Sequence, residues 1–471
     1  MTPTFTRHRP AGGAGTIRLL PLIAATYFMV SGGAYGLEDI LGMAGYGRAL
    51  LLLLLVPLLW SIPTSLMVGE LASALPMEGG YYCWVRRALG GFWGFQEAWL
   101  SLAASVFDMA IYPTIFVLYL GKVEPTWTAG HYGTLWALAV VLVCAAWNLL
   151  GARAVGEGSV GMFCVLIAPF VVLVAIGLWK GLAAHAAGGG LAALARPVAT
   201  PDFAGAVLVT LWNYMGWDNA STVAQEVEEP QRNYPRAMLA SVALVAVTYI
   251  LPLAAVAVAG IPVDRFSTGA WTDAARALLG PGIWGSALTL AVVFGGMLNG
   301  LGMFNALVLS YSRVPYAMAD EGLLPVALAR NLRRTTRAGV PWVSVLLCSA
   351  AWALALRFSF ERLISIDLVL YGAALLLEFV ALVVLRLREP ALARPFRVPG
   401  GLWGAVGVGV APAALIGYAL WAARAERVAG MPALGFATLV AAAGPLVYAT
   451  ARWGQRRREI ERESLPSHPS R

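Results

Sequence analysis

Apolar runs recur along the whole length of this 471-residue chain. A helix needs about 20 apolar residues to cross the hydrocarbon core of a bilayer, which is roughly 30 Å thick. Inside that core every backbone N–H and C=O must be bonded within the protein, which favours helices. Only 12% of the residues are charged, against roughly 25% in soluble domains. The sequence therefore predicts an all-α integral membrane protein.

Twelve of these runs are predicted to be transmembrane helices. They cover 17–42, 48–75, 91–121, 132–151, 158–180, 203–226, 236–260, 283–318, 342–357, 362–386, 402–423 and 433–452. Polar segments, 1–16 and 454–471, flank the runs. We predict that both segments are mobile tails without a folded domain.

The distribution of positive charge predicts an orientation. With a cytoplasmic N-terminus, 23 of the 33 lysines and arginines fall in the tails and the even-numbered loops. Cytoplasmic loops of membrane proteins carry such an excess. We therefore predict a multi-pass protein of the plasma or inner cell membrane with both termini in the cytoplasm. This bias also accounts for the net charge of +8 without a nucleic-acid partner.

Glycine-containing segments interrupt two of the predicted spans. The first comprises Ser31, Gly32, Gly33, Ala34, Tyr35 and Gly36, and the second comprises Trp212, Asn213, Tyr214, Met215, Gly216, Trp217, Asp218 and Asn219. Interrupted helices at corresponding places in two halves of a chain indicate the binding site of a secondary transporter. Freed half-helix N-termini suit a carboxylate, and freed carbonyl ends suit an ammonium. The alternative is that the glycines only let helices approach closely.

Several blocks of sequence share a resemblance to a known family. They include Val30-Ser31-Gly32-Gly33-Ala34-Tyr35-Gly36-Leu37-Glu38-Asp39, Gly69-Glu70-Leu71-Ala72, Pro76-Met77-Glu78-Gly79-Gly80-Tyr81-Tyr82-Cys83-Trp84-Val85, Gly94-Phe95-Gln96-Glu97, Trp212-Asn213-Tyr214-Met215-Gly216-Trp217-Asp218 and Arg394-Pro395-Phe396-Arg397-Val398-Pro399. These blocks resemble the polyamine-uptake branch of the amino acid–polyamine–organocation superfamily. Plant and protozoan polyamine/proton symporters resemble the chain most closely.

The resemblance implies a leucine-transporter-like fold. Spans 1–5 and 6–10 would form a 5+5 inverted repeat in which helices 1 and 6 are broken. The ten-helix transport core would occupy 17–386, and the accessory spans 11 and 12 would lie in 387–453. The implied function is import of polyamines, such as putrescine or spermidine, by proton symport with alternating access.

Acidic residues within or beside the spans favour a cationic substrate. They are Glu38, Asp39, Asp108, Asp218, Asp367 and Glu378. A charge at the centre of a membrane helix costs roughly 2.5–3.5 kcal/mol on insertion scales, and we find no lysine or arginine at comparable depth. Asp108 and Asp218 are predicted to bind substrate, and proton or cation coupling is predicted for Glu38, Asp39, Asp108 and Glu378. Solvation of Asp39 and helix capping by Asp218 are the alternatives.

Aromatic and amide side chains complete the predicted substrate site. They are Tyr35, Tyr112, Trp212, Asn213, Tyr214, Trp217 and Asn299. Cation–π contacts are worth roughly 0.5–2 kcal/mol each. Asp108 and Tyr112 lie one helical turn apart, so they share a face. Ordinary packing is the alternative for each ring, and inter-helix hydrogen bonding is the alternative for Asn299.

Two further groups of polar residues are assigned roles from their positions in the spans. In span 10, Asp367, Tyr371 and Glu378 lie close to one helix face, which is predicted to line a pathway or to bond a neighbouring helix. Glu70 and Glu226 lie at predicted cytoplasmic span ends beside arginine-bearing loops. We predict that they close the inward side as a gate of ion pairs, and solvated surface charge is the alternative.

The sequence is also compatible with other functions. An amino-acid permease of the same fold is the main alternative, because a glycine break serves an amino-acid carboxylate well. A non-transporting membrane receptor or scaffold would have no reason to keep unpaired acids. We expect no enzyme activity, no cofactor and no metal site. The expected partners are a small-molecule substrate (a polyamine or an amino acid), protons and the lipid bilayer, and the sequence leaves the oligomeric state open.

Overall fold

The computed structural model describes residues 16–186, 198, 200–263, 266–356, 360–425, 427–428 and 431–463. The α-helices in these residues are α1 (Leu19–Val30), α2 (Glu38–Val56), α3 (Ile62–Ala74), α4 (Tyr81–Leu89), α5 (Gly91–Val123), α6 (His131–Asn148), α7 (Ala152–Ala186), α8 (Phe203–Asn213), α9 (Pro230–Val258), α10 (Trp271–Leu279), α11 (Ile283–Tyr311), α12 (Arg313–Asp320), α13 (Val326–Leu332), α14 (Trp342–Ala355), α15 (Phe360–Arg388), α16 (Gly401–Ala422) and α17 (Ala433–Glu463). A short antiparallel hairpin pairs β1 (Arg427–Val428) with β2 (Met431–Pro432).

Nine helical stretches of the described chain are long and apolar enough to cross a membrane. They are Glu38–Ala74, Gly91–Val123, His131–Asn148, Ala152–Ala183, Pro230–Val258, Ile283–Asp320, Ile366–Arg388, Gly401–Ala422 and Ala433–Trp453. Two shorter apolar helices, α1 and α14, accompany them. These helices are those of a multi-pass membrane protein. The count of twelve spans and the 5+5 repeat stay predictions.

The predicted tails fall largely outside the described residues. Only Thr16 of the segment 1–16 is described. At the other end α17 continues as a helix to Glu463, past the predicted end of the last span. Of the segment 454–471, the part beyond residue 463 lies outside the described residues.

The first interruption separates α1 from α2. Residues 31–37 are not helical, and Gly33 and Gly36 have φ of +74° and +89°. Gly45 inside α2 has φ +76° and ψ 167°, which kinks the helix between the first two predicted spans. L-residues rarely adopt such positive φ values, so glycine is required at these turns.

The second interruption follows α8 and packs against the first. Gly216 has φ +92°, and a 3₁₀ segment, Trp217–Thr222, follows it. A Cβ atom on Gly216 would lie 2.4 Å from the carbonyl oxygen of Met29 in α1. Asn213 Nδ2 donates to the Gly36 carbonyl at 3.4 Å. The two breaks are therefore side by side, and only glycine fits where they touch.

Hydrogen bonds define two sides of the helix bundle. We call the side that carries Arg86, Arg87, Arg313, Arg386 and Arg394 the arginine-rich side. Ile17, just before α1, bonds the Glu226 carbonyl there at 2.7 Å, and the Glu226 carboxylate binds Arg313. Arg388 at the end of α15 donates to the Ala88 carbonyl of α4 at 2.9 Å. The start of α2 and α10 lie on the opposite side.

Candidate functional site

A cavity lies where the two interruptions meet α5, α11 and α15. The space between its lining atoms, including open solvent, is about 460 Å³. The predicted site residues that line it are Gly32, Tyr35, Asp108, Tyr112, Trp212, Asn213 and Asn299. The remaining lining residues are Val30, Ile115, Met215, Gly216, Asn219, Met303, Tyr311, Asp367 and Tyr371. None of these lining residues is a lysine or an arginine, so the charged groups that the described chain presents to the cavity are acidic.

Asp108 on α5 is held by two aromatic donors. Tyr112 Oη donates to Asp108 Oδ1 at 2.7 Å, and Trp212 Nε1 donates to the same oxygen at 3.2 Å. The rings of Tyr112 and Trp212 stack with centroids 6.3 Å apart and planes 20° apart. These contacts hold the carboxylate at the polar edges of two stacked rings, whose π faces are available to a cation.

Asp367 and Asn299 bring unbonded polar atoms to the same cavity. Asp367 Oδ2 and both amide atoms of Asn299 are buried without a hydrogen-bond partner among the described residues. A buried polar atom left unbonded costs about 1–3 kcal/mol. The amide of Asn299 lies against Gly32, where a Cβ atom would be 1.6 Å from Asn299 Oδ1. The cavity therefore offers acceptors and a donor that a polar ligand would satisfy.

Asp218 lies outside the cavity lining, and hydrogen bonds through Tyr371 connect it to the second interruption. Tyr371 Oη donates to Asp218 Oδ1 in a short hydrogen bond. The same hydroxyl accepts a bond of 3.0 Å from the Gly216 N–H. Asp218 is thus one hydrogen bond away from the cavity rather than part of its lining.

The predicted coupling residues Glu38 and Asp39 lie toward the opposite side. Glu38 is fully buried, and its carboxylate accepts bonds from Gly36 N–H (2.7 Å), Tyr119 Oη (2.8 Å) and Gly269 N–H (3.1 Å). Asp39 accepts bonds from the N–H and Oγ1 of Thr268, at 2.8 and 2.6 Å. Both acids tie the start of α2 to the segment before α10, and neither lines the cavity.

Other predicted site residues also lie outside the cavity lining. They are Ser31, Gly33, Gly36, Tyr214, Trp217, Asp218 and Glu378. Ser31 Oγ accepts a bond from Gly33 N–H at 3.1 Å, and Tyr214 Oη donates to the Leu53 carbonyl at 3.0 Å. Side chains in a broken helix do not follow helical periodicity, so neighbours in sequence point to different surroundings.

Aromatic rings close the cavity toward the opposite side. Tyr35 makes edge contacts with Tyr119 and Phe170 at centroid distances of 5.1 and 5.0 Å. Phe170 contacts Trp271 of α10 at 5.3 Å, and Trp271 Nε1 donates to the Ala34 carbonyl at 2.8 Å. This cluster covers the first interruption.

Ion pairs join helices on the arginine-rich side. Glu70 is fully buried and binds Arg386 through a short contact and Arg394 at 3.3 Å. Glu226 binds the buried Arg313 at 3.0 Å. The structure therefore places both predicted gating acids in ion pairs.

A further ion pair joins α4 to the segment after α15. The guanidinium of Arg87 donates two hydrogen bonds to Glu389, at 2.9 and 2.6 Å. These bonds lower the pKa of Glu389. The carboxylate therefore stays ionised and the pair persists at neutral pH.

No three histidine, cysteine, aspartate or glutamate side chains of the described chain are grouped as a metal site requires. The cavity instead has the features of a site for a small polar molecule. It lies at mid-bundle depth, between two broken helices, with oriented polar groups and aromatic walls.

The family model described as amino acid permease matches residues 23–440. The chain belongs to the amino acid permease family. The resemblance seen in the sequence is thereby confirmed, and the permease is a multi-pass membrane protein of a transporter family rather than of an enzyme family.

Similar proteins carry transporter names. The polyamine transporter PUT1 of Oryza sativa subsp. japonica is 34% identical over 422 residues, which are 88% of the permease and 77% of the relative. The polyamine transporter RMV1 of Arabidopsis thaliana is 31% identical over 403 residues, 85% and 79% of the two chains. The serine/threonine exchanger SteT of Bacillus subtilis (strain 168) is 25% identical over 367 residues, 76% and 80% of the two chains.

Proposed function

We propose that the permease imports polyamines by proton symport. The observation that carries this proposal is the pair of carboxyl side chains, Asp108 and Asp367, which line a cavity without a lysine or arginine among its described lining residues. A cation in this cavity would form charge-assisted hydrogen bonds with these two carboxylates, and no other described lining residue carries a charge. The polyamine transporters among the similar proteins support the same substrate class.

A diamine fits the arrangement of groups better than a zwitterion does. One ammonium would bind Asp108 beside Tyr112 and Trp212, and a second would bind Asp367. Asn299 would accept a hydrogen bond from the nitrogen nearest Gly32. A neutral amino acid would satisfy one carboxylate and place its own carboxylate near the other.

Alternating access would use the closures on the two sides. The arginine-rich side would face the cytoplasm and the opposite side the exterior, because positive charge accumulates in cytoplasmic loops. Entry would require the cluster around Tyr35 and Trp271 to separate. Release would require the pairs of Glu70 and Glu226 to open. Glu38 and Asp39, which tie α2 to the segment before α10, would move with the outer closure.

The second candidate function is amino-acid transport. Half-helix ends at both interruptions lie beside the cavity, and such ends bind the carboxylate and amino groups of amino acids. The similarity to a serine/threonine exchanger favours this alternative.

Uptake into liposomes that contain the purified permease separates the two functions. Labelled putrescine, spermidine, arginine and leucine are offered with and without an inward proton gradient, and empty liposomes are the control. We expect saturable uptake of putrescine and spermidine that the gradient increases. Gradient-independent exchange of leucine, with polyamines inert, would instead establish the amino-acid function.

Replacing Gly32 with alanine is expected to weaken putrescine uptake while the protein still folds. The new methyl would overlap Asn299 Oδ1 and push the amide into the cavity. Overpacking costs roughly 1–3 kcal/mol, so KM should rise by about tenfold. Gly161→Ala is the control, because a Cβ atom at Gly161 meets nothing within 4 Å. Equal KM values for the two variants would show that Gly32 does not border the binding site.

A further inference from the structure

A second pair of acids repeats the spacing of the cavity pair. Glu97 lies 11 residues before Asp108 on α5, and Glu378 lies 11 residues after Asp367 on α15. Eleven residues make about three turns, so the two acids on each helix share one helix face and lie about 16 Å apart along it.

Helices α5 and α15 run in opposite directions. Glu97 is therefore displaced from Asp108 toward the same end of the bundle as Glu378 is from Asp367. Arg388 at the end of α15 bonds the Ala88 carbonyl just before α5 begins. Asp108 and Asp367, which are 20 and 21 residues from Ala88 and Arg388 in the sequence, line the same cavity. Glu97 and Glu378 therefore form a second acidic level between the cavity and the arginine-rich side.

The second level is closed to solvent and incompletely bonded. Glu97 and Glu378 are both fully buried. Glu97 Oε1 accepts a bond of 2.7 Å from Ser101 Oγ. Glu97 Oε2, both carboxyl oxygens of Glu378 and the Tyr81 hydroxyl have no hydrogen-bond partner within the described part of the chain. An unbonded donor thus accompanies three unbonded acceptors.

The groups that act electrostatically on this level are acids and neutral side chains. Asp218 acts on both Glu97 and Glu378. The charge of Glu97 acts on Tyr81 and Cys83 of α4, and the charge of Glu378 acts on Tyr371. No lysine or arginine is among the groups that act on either carboxyl in the described chain.

We propose that Glu97 and Glu378 form the proton-binding site of the permease, separate from the level that binds the substrate. This inference rests on the proposed proton symport. A carboxylate buried without a cation is costly, whereas a protonated carboxyl is neutral and can donate to its neighbour. Neither glutamate lines the cavity, so a substrate ammonium in the cavity does not replace the proton.

Asp218 connects the second level to the cavity. It accepts the hydrogen bond of Tyr371, whose side chain lines the cavity, and it acts electrostatically on both glutamates. A proton that reaches Asp218 passes to Glu378 or Glu97, which leaves Asp218 as a carboxylate and the glutamate as a carboxylic acid. Opening of the arginine-rich side then releases the proton and restores the glutamate carboxylate.

The test compares two transport modes of Glu97→Gln and Glu378→Gln in liposomes. The first mode is putrescine accumulation driven by a proton gradient, with internal pH followed by a dye. The second is exchange of labelled for unlabelled putrescine at equal pH on both sides. We expect both variants to lose accumulation and proton influx and to keep exchange. Asp108→Asn should slow both modes by roughly 10- to 150-fold, and Glu157→Gln, which removes an exposed acid of α7, should keep both.

The outcomes distinguish this inference from the proposed function. Proton influx coupled to putrescine in the wild type, retained by both glutamine variants, would overturn the inference alone. Loss of exchange in folded variants would also overturn it, because the glutamates would then belong to the substrate site. A wild type without proton-coupled putrescine uptake would overturn the proposed function as well.

If a glutamine variant fails to fold, Glu378→Asp replaces it, because aspartate keeps a carboxyl. We expect Glu378→Asp to retain proton coupling with a displaced pH profile of uptake. An unchanged pH profile would count against the inference.

Discussion

Replacing Asp108 with asparagine is expected to reduce putrescine uptake by roughly 10- to 150-fold. Hydrogen bonds to charged groups contribute about 1.5–3 kcal/mol, which corresponds to that range. The amide oxygen of asparagine can still accept the hydrogen bonds of Tyr112 and Trp212, so the local packing should survive. Initial rates of uptake over a range of putrescine concentrations measure the loss.

The control for this prediction is the same substitution at Asp202. Asp202 caps α8 by accepting a bond of 2.9 Å from Gly205 N–H, and it lies outside the cavity lining. An asparagine retains that cap, since its side-chain oxygen is an equally good acceptor there. We expect wild-type uptake from Asp202→Asn. If Asp108→Asn also transports at the wild-type rate, Asp108 does not bind the ammonium.

Replacing Glu70 with glutamine is expected to lower the free energy of unfolding by about 3–5 kcal/mol, the usual cost of removing one partner of a buried ion pair. Glu70 is fully buried, and Arg386 and Arg394 would be left beside a neutral amide. The Val398 N–H donates a hydrogen bond of 2.7 Å to Glu70 Oε2, and this bond would be lost if the amide nitrogen of glutamine took the place of that oxygen. Thermal unfolding of purified variants in one detergent measures the change.

The matched control is Glu157→Gln on α7. Glu157 pairs with Arg153 one helical turn away, and both side chains are more than half exposed. Exposed pairs contribute little to stability. We therefore expect the melting temperature of Glu157→Gln to stay near that of the wild type. A similar melting temperature for Glu70→Gln would show that the buried cluster does not hold α3 to α15.

The interruptions could be predicted from the sequence because glycine has a physical role at each. Gly33, Gly36 and Gly216 adopt positive φ, and clusters of glycine within apolar runs indicate such geometry. The shared face of Asp108 and Tyr112 followed from their spacing of one turn, and the structure joins them by a hydrogen bond. Local patterns of this kind need no knowledge of the tertiary fold.

Contacts between distant parts of the chain could not be predicted in this way. Glu38 and Asp39 bond Gly269 and Thr268, about half the chain away. Tyr311 enters the cavity lining from the end of α11, where it follows an ordinary apolar run. Which residues meet there depends on helix packing, which the spacing of polar residues within one span does not encode.

The proposed pairing of Glu97 with Glu378 could likewise not be predicted from either span alone. Glu97 precedes Asp108 by 11 residues, a spacing that places both on one face of α5. Its significance depends on the antiparallel α15, which brings Glu378 to the same level. A search for acids repeated at 11-residue intervals on two predicted spans would have found both pairs.

Equilibrium binding of labelled putrescine to the purified permease tests whether the cavity is a cation site. We expect saturable binding that spermidine displaces, that excess leucine leaves unchanged and that Asp108→Asn weakens by roughly 10- to 150-fold. Displacement of putrescine by leucine, or full binding by Asp108→Asn, would contradict a cation site in the cavity.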